Sequence, residues 1–342
     1  MCAQCGILIW NILFVIFCKA PAKNADGRGS NMLIINYGSV AYFIPPAIIL
    51  VIVAALFFIF RRRSAAAKKA VVLIIMAVNI LQHVLKQFIY PHYFGNAYPD
   101  LINTAYNMCA TLILLSPVIF FSRSRAFRQF LAYVGTIAGL LTMAVPHWYI
   151  GQTMLQWDVF RYYSCHGMLV ASSFLPAAWG LYKMCWRDFW KFPFIFFFML
   201  ILIAFNDLVF WCLGVVGDYT QGNFFEVLYD ANPCWMMHPN EGFSFLLPVI
   251  DFFTPDIFFG DAAGKPYTPI LWYAIPLTLL IWILGLLFGL IFDGKNMVSD
   301  IKAAFTWRPQ AIYSPSVLPP AGNRVRFKRR TFAYRKQRRK TH

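Results

Sequence analysis

The sequence predicts an all-α, polytopic integral membrane protein of about seven transmembrane helices, with its N-terminus outside and its C-terminus in the cytoplasm. Three observations carry this. The chain is 60% hydrophobic and 18% aromatic with a mean hydropathy of +0.58, leaving too little polar sequence to coat a water-soluble domain of this size. Long apolar runs recur, each near the ~20 residues that a helix needs to cross the hydrocarbon core. Finally, the basic residues collect in alternate loops, as the positive-inside rule requires.

The seven runs fall near 39–60, 70–90, 101–121, 127–146, 159–182, 192–215 and 269–292. Arg61, Arg62, Arg63, Lys68 and Lys69 join the first and second. Arg123, Arg125 and Arg128 join the third and fourth, and Lys183, Arg187 and Lys191 the fifth and sixth. Thirteen more basic residues follow from Lys295 to Lys340, so 24 of the 30 Lys and Arg lie on one side. That side is expected to be cytoplasmic. The opposite side has Trp148, Tyr149, Trp157, Trp235, Tyr267 and Trp272, suited to an interfacial aromatic belt.

Residues 1–31 stand apart. Gly6 to Cys18 is apolar but only thirteen residues long, too short to span comfortably. Ala20-Pro-Ala22 resembles a signal cleavage site, yet no basic stretch precedes the run. Translation starting at Met32 is a further reading. The segment is expected to be dispensable, and 32–292 to form the membrane domain.

Two pairs of small residues, Gly135/Gly139 and Gly285/Gly289, have the spacing that lets helices approach closely. The loop 217–268 is long and rich in Pro, Gly, Asp and aromatics. Its apolar pieces cannot span, and loops of this length are more often functional than idle, so it reads as an exterior cap. The region 293–342 reads as a basic tail ending in RVRFKRRTFAYRKQRRKTH. Directly after a membrane helix, such a tail suits anionic lipid, at about 1 kcal/mol per charge, rather than nucleic acid. The eight cysteines lack zinc-ligand or disulfide-framework spacing, and no cofactor or metal is implied.

Chemistry must come from polar groups inside the apolar runs. With ~1.5 Å of rise per residue, Cys109 lies about 12 Å, His166 about 10 Å, His83 about 10 Å, Lys86 about 6 Å, and Asn206 and Asp207 about 14 Å from the exterior face. They share a layer in the outer half of the bilayer. Each has a plain alternative: Cys109 as a small buried hydrophobe, His83 in a polar stripe with Gln82 and Lys86, Lys86 snorkelling to the interface, Asp207 paired with Lys86 or Arg161. Cys165 neighbours His166 in sequence but points about 100° away on a helix, and reads as packing. The chemical reading is a Cys–His pair, in which a base favours the thiolate of Cys109. Either His166 or His83 can be that base, with Asp207 or Asn206 orienting the ring.

A resemblance supports this layer. The stretch INTAYNMCATLILLSPVIFF with Cys109, then AYVGTIAGLLTMAVPHWY, then FRYYSCHGMLV with His166, and last the loop YDANPCWMMHPNEG, resemble the bacterial YwaF-type integral membrane proteins in order and spacing. The similarity spans roughly residues 71–290. Asn107-Met108 stands where that family usually has His-Leu, and His238 where a Lys often precedes the Pro. Animal relatives of that family are membrane acyltransferases of phospholipid remodelling. The resemblance therefore implies a phospholipid or lysolipid substrate, roles for Cys109 and His166, and a location in the cell membrane, bacterial by this likeness. A transporter or small-ligand receptor is the alternative, since buried His, Lys and Asp also build proton relays. A purely structural protein is the third reading. Oligomeric state is left open.

Overall fold

The computed structural model describes residues 33–86, 104–214, 223–239, 247–260 and 267–306. The expectations for residues 1–31 and for the tail from 307 onward lie outside these, as do parts of the loop 217–268. The chain divides into two units, 1–298 and 299–342. In the second, the described residues are the last helical turns, ending at Thr306.

The described residues form helices without a β-sheet; the only β-bridges among them are Ile34 with Thr153 and Phe259 with Tyr267. The helices are α1 (Val40–Phe60), α2 (Ala65–Leu85), α3 (Met108–Phe121), α4 (Arg125–Phe130), α5 (Thr136–Ala144), α6 (Trp157–Ala178), α7 (Phe192–Cys212), α8 (Phe224–Ala231), α9 (Leu247–Phe253) and α10 (Ala274–Thr306). A π-helical segment, Leu131–Gly135, joins α4 to α5 in one rod. Five segments are long and apolar enough to cross a membrane: Val40–Phe60, Ala65–Leu85, Arg125–Tyr149, Trp186–Cys212 and Leu271–Phe305. All five overlap predicted runs.

The other two predicted spans differ for physical reasons. α3 is apolar but has only 14 residues, because the side chain of Asn107 caps it, accepting from the Ala110 amide at 2.8 Å. Such a cap fixes the preceding backbone in an extended conformation. α6 has 22 residues but is less apolar. It carries Asp158, Arg161, Ser164, His166, Ser172 and Ser173, which a lipid-facing helix would pay dearly to hold. It can hold them because it packs against α1, α2, α3 and α5. Its neighbours form the apolar wall. Val51 (68% exposed) and Phe58 (59%) of α1 point away from the core.

Local sequence explains the inward faces. Val72, Met76, Asn79 and His83 of α2 are buried at helical spacing, the stripe that faces a partner helix. Gly135 and Gly139 bring the α4–α5 rod against α6. A Cβ on Gly139 would come within 2.7 Å of Val170 Cγ2, and one on Gly135 within 2.2 Å of Ser173 Oγ. Gly285 and Gly289 of α10 sit against the ring of Phe189. Both glycine pairs thus make the close approaches their spacing predicts.

Several expected features move. The first turn of α2, capped by Ser64, includes Lys68, so Lys68 and Lys69 are helical rather than loop residues. α10 continues to Thr306, past a break at Asp293 where φ is −140°, so Lys295 and Lys302 belong to it. Of the predicted aromatic belt, Trp148 is 75% exposed, but Tyr149 and Trp272 are buried. Tyr149 turns inward because its hydroxyl donates to Asp158 Oδ2 at 2.7 Å. Asp188 receives Arg125 at 2.5 Å and Lys191 at 2.9 Å, joining two of the basic loops at one end of the bundle.

Candidate functional site

The short segment 104–109, leading into α3, gathers most of the predicted residues. Its backbone and side chains each take a different partner. The Thr104 carbonyl lies 3.1 Å from His83 Nε2, and its hydroxyl accepts from Asn206 Nδ2 at 2.9 Å. Lys86 Nζ stands over the ring of Tyr106, 4.7 Å from its centroid. Asn107 caps α3. This gives a physical role to the residue that departs from the resembling family's histidine: it starts the helix that carries the cysteine.

The Met108 amide donates to Cys234 Sγ at 2.9 Å. Cys234 and Asn232 both hold positive φ, 52° and 41°, a conformation that is uncommon for side-chain-bearing residues. The Asn232 side chain supports it, accepting from the Met237 amide at 3.0 Å and donating to the His238 carbonyl at 2.9 Å. His238 is thus part of the loop's own bracing. Burial pushes the Cys234 thiol above the ordinary range, so it meets the helix as a neutral S–H. The loop after α8 therefore docks onto the end of α3.

Cys109 faces α5. Its sulfur lies 3.7 Å from Thr142 Oγ1. The Thr142 hydroxyl donates to the Ala138 carbonyl at 2.7 Å, which leaves its oxygen to accept the Cys109 proton. The Thr142 carbonyl in turn accepts from the Tyr162 hydroxyl at 2.6 Å. The ring of Tyr162 packs on that of His166, centroids 4.6 Å apart. Cys109, Thr142, Tyr162 and His166 thus form one connected chain.

The histidine tautomers follow from carbonyl partners, since a carbonyl only accepts. His166 Nδ1 lies 2.7 Å from the Tyr162 carbonyl and must carry the proton, which leaves the lone pair on Nε2. His83 is arranged the other way. Its Nε2 donates to Thr104, and its Nδ1 accepts from Lys86 Nζ at 3.3 Å. Both of its ring nitrogens are engaged, so of the two histidines His166 is the one with an open basic nitrogen among the described residues.

The remaining predicted members separate. Asp207 is buried, 3% exposed, and neither carboxylate oxygen has a hydrogen-bond partner among the described residues. The expected ion pair of Asp207 with Arg161 or Lys86 is not made. Arg161 NH2 instead pairs with Asp158 Oδ1 at 2.8 Å, one turn away on its own helix, where the shorter reach wins. Cys165 points to α2, with its Sγ 3.2 Å from Gln82 Oε1, rather than to His166, its neighbour in sequence, as helical geometry predicts. No cluster of three or more His, Cys, Asp or Glu suited to a metal occurs among the described residues.

Sequence reasoning missed Thr142, Tyr162, Thr104 and Cys234. Thr142 had a signal: it follows Gly135 and Gly139 at i, i+4, i+7, on the side of the rod that carries the two glycines. Thr104 and Cys234 lie in irregular segments, where no periodicity marks them.

Comparison with curated proteins and with solved structures finds no match. Residues 36–292, which contain every residue of this network, match the TMEM164 family. That is a family of membrane proteins, in keeping with the apolar helices above; the chain is a multi-pass membrane protein and belongs to the TMEM164 family.

Proposed function

We propose that the protein is a lipid acyltransferase or acyl-ester hydrolase in which Cys109 is the nucleophile and His166 the base. The observation that carries this reading is the chain Cys109–Thr142–Tyr162–His166, which ends in an imidazole with its Nε2 lone pair open. A thiol needs such a base to become a nucleophile. In the resting arrangement the thiol donates toward Thr142, so substrate entry must bring sulfur and Nε2 together.

In the proposed reaction, His166 Nε2 takes the Cys109 proton and the sulfur attacks an acyl ester carbonyl. The C–S bond of a thioester forms and the ester C–O bond breaks. The departing lysolipid alkoxide takes the proton back from His166. In the second half, a lysolipid hydroxyl or water gives its proton to His166 and attacks the thioester; the C–S bond breaks and the departing sulfur takes the proton back from His166, which restores the thiol and the neutral imidazole. His83, Lys86, Asn206 and Thr104 hold the segment that presents Cys109. A membrane phospholipid is the substrate, in the leaflet facing outside. The basic tail rests on anionic lipid of the opposite leaflet.

The test is a purified preparation given a phospholipid with a radiolabelled acyl chain. Wild-type protein should acquire a label released by neutral hydroxylamine, the mark of a thioester, at Cys109. Cys109→Ala should take none while Cys165→Ala labels normally. Equal labelling of Cys109→Ala would end the nucleophile assignment. A second reading, a proton-coupled transporter, rests on Asp207, a buried carboxylate with no partner among the described residues. Intramembrane carboxylates of this kind mark relays. In that case Asp207→Asn, and not Cys109→Ala, would remove the activity.

A further inference from the structure

A narrow groove of about 100 Å³, open along its side, runs between α1 and α6 on a different face of α6 from His166. Its α6 lining, Phe160, Tyr163, Ser164, Gly167, Met168 and Ala171, follows i, i+3, i+4, i+7, i+8, i+11 spacing. At 3.6 residues per turn, His166 lies roughly 130° around the helix from the centre of that face. The body of α6 thus lies between the groove and His166, while the ring of Tyr163 packs on that of Tyr162, centroids 5.2 Å apart.

On the α1 side the lining extends from Pro45 to Leu56. That is about 16 Å of helix, close to half of the ~30 Å hydrocarbon core. The groove is one leaflet long. Its walls are aliphatic or aromatic except for two hydroxyls. Ser164 donates to Gln82 Oε1 at 2.8 Å, so its proton is committed. Tyr163 is 3% exposed, and its hydroxyl has no hydrogen-bond partner among the described residues. A buried hydroxyl left without a partner is costly, and Tyr163 is among the residues that line the groove.

Side chains on a helix lean toward its N-terminus, so the Tyr163 hydroxyl lies toward the Trp157 end of α6. The groove then runs from that hydroxyl along apolar walls toward Leu56 and Ala171. The lining therefore offers one neutral donor at the head and hydrocarbon below it. A free fatty acid would bring a carboxylate, and the lining has no Lys, Arg or His to meet it. An ester carbonyl needs only the hydroxyl.

We propose that this groove is a binding site for one acyl chain of an intact glycerophospholipid, held by a hydrogen bond from the Tyr163 hydroxyl to the ester carbonyl. The site is separate from the proposed reaction centre and does not depend on it. Its lipid is a resident ligand that fills the seam between α1 and α6. Ile49 already touches Gly167 there: a Cβ on Gly167 would meet Ile49 Cγ2 at 2.7 Å. The acyl chain lies alongside that contact.

The experiment uses the full chain in phosphatidylcholine nanodiscs that contain a phosphatidylcholine with a diazirine on one acyl chain, irradiated and mapped by mass spectrometry. Labelling should concentrate on Ile52 and Ala171, at least five-fold above the outward-facing Val51. Ala171→Trp, which fills the groove, should remove that excess and leave Val51 labelling unchanged. Tyr163→Phe should lower groove labelling several-fold for the ester probe and leave a diether analogue unaffected. Excess phosphatidylcholine should compete, and free oleate should not. Equal labelling of groove and outer surface, or wild-type labelling in Tyr163→Phe, would overturn the site; preferential competition by oleate would overturn the choice of lipid. Should Ala171→Trp fail to fold, judged by size-exclusion profile, the Tyr163→Phe comparison decides alone. Cys109→Ala should keep the labelling intact, so failure of the acyl-transfer reading leaves this result standing.

Discussion

Gly139 lies directly against the backbone of His166: a Cβ at position 139 would come within 3.0 Å of the His166 carbonyl oxygen. Backbone cannot swing aside as a flexible side chain can. Gly139→Ala should therefore cost stability in the range of overpacking, about 1–3 kcal/mol. Gly285→Ala should cost much less, because its nearest neighbour is the Phe189 ring at 3.3 Å, which can turn. Thermal unfolding of the two variants in the same detergent checks the contrast; equal losses would contradict it.

Asp158 and Arg161 form a buried pair, with side chains 2% and 11% exposed. Removing one partner strands the other, at a cost of about 3–5 kcal/mol. Arg161→Leu should therefore unfold far more easily than the double variant Asp158→Leu/Arg161→Leu. Denaturant titration followed by tryptophan fluorescence reads the difference, and additive effects would count against a coupled pair.

Thr142 links the cysteine to the histidine arm with its side chain on one and its backbone on the other. Thr142→Val removes the hydroxyl acceptor of Cys109 but keeps the carbonyl bond to Tyr162. Acyl transfer should fall about ten-fold, the size of one lost hydrogen bond of ~1.4 kcal/mol, and Thr142→Ser should restore it. His83→Gln should lower activity less than His166→Gln, since both nitrogens of His83 are already engaged. Initial rates with labelled phospholipid decide both comparisons.

Asn107 starts α3 by capping it. Asn107→Ala should lower stability by about 1 kcal/mol, with Asn107→Asp or Asn107→Ser close to wild type. Thermal melts of these three variants make the check. A loss in Asn107→Ser equal to that in Asn107→Ala would mean the residue acts by something other than capping.

The proposed orientation has its own test. Reporter fusions after Lys69 and near Gln337 should both report the cytoplasmic side, because the basic loops cluster there. An exterior signal from either would reverse the assignment of the site to the outer leaflet.

The membrane class was legible because it depends on summed hydropathy, and the long spans because nothing interrupts them. α1, bounded by Ser39 and Arg61, is an example. Boundaries set by a single polar contact were less visible. Asn107 looked like one more residue in an apolar run, and only its hydrogen bond to Ala110 shows where α3 begins. The shared layer of Cys109 and His166 could be estimated from helix rise alone. That estimate could not supply rotation, and so could not tell that His83 turns to Thr104 and Lys86, or that Asp207 is left without either. The contact between Cys109 and α5 depends on how two helices face each other, which one-dimensional spacing constrains only through the Gly135, Gly139 and Thr142 stripe.

α6 is the most enclosed helix of the bundle and less apolar than the helices that enclose it. A segment bearing Asp158, Arg161 and His166 gains little by leaving the translocation channel alone for lipid, since charged and polar side chains count against insertion, the more so the deeper they lie. Its partners α1, α2, α3 and α5 all precede it in the chain. Synthesis thus delivers the socket before the peg, and α6 moves from the channel into a prepared protein surface. Biogenesis is then ordered by the gene itself: a permuted chain beginning at α6 would expose the same residues to lipid with nothing yet built to receive them.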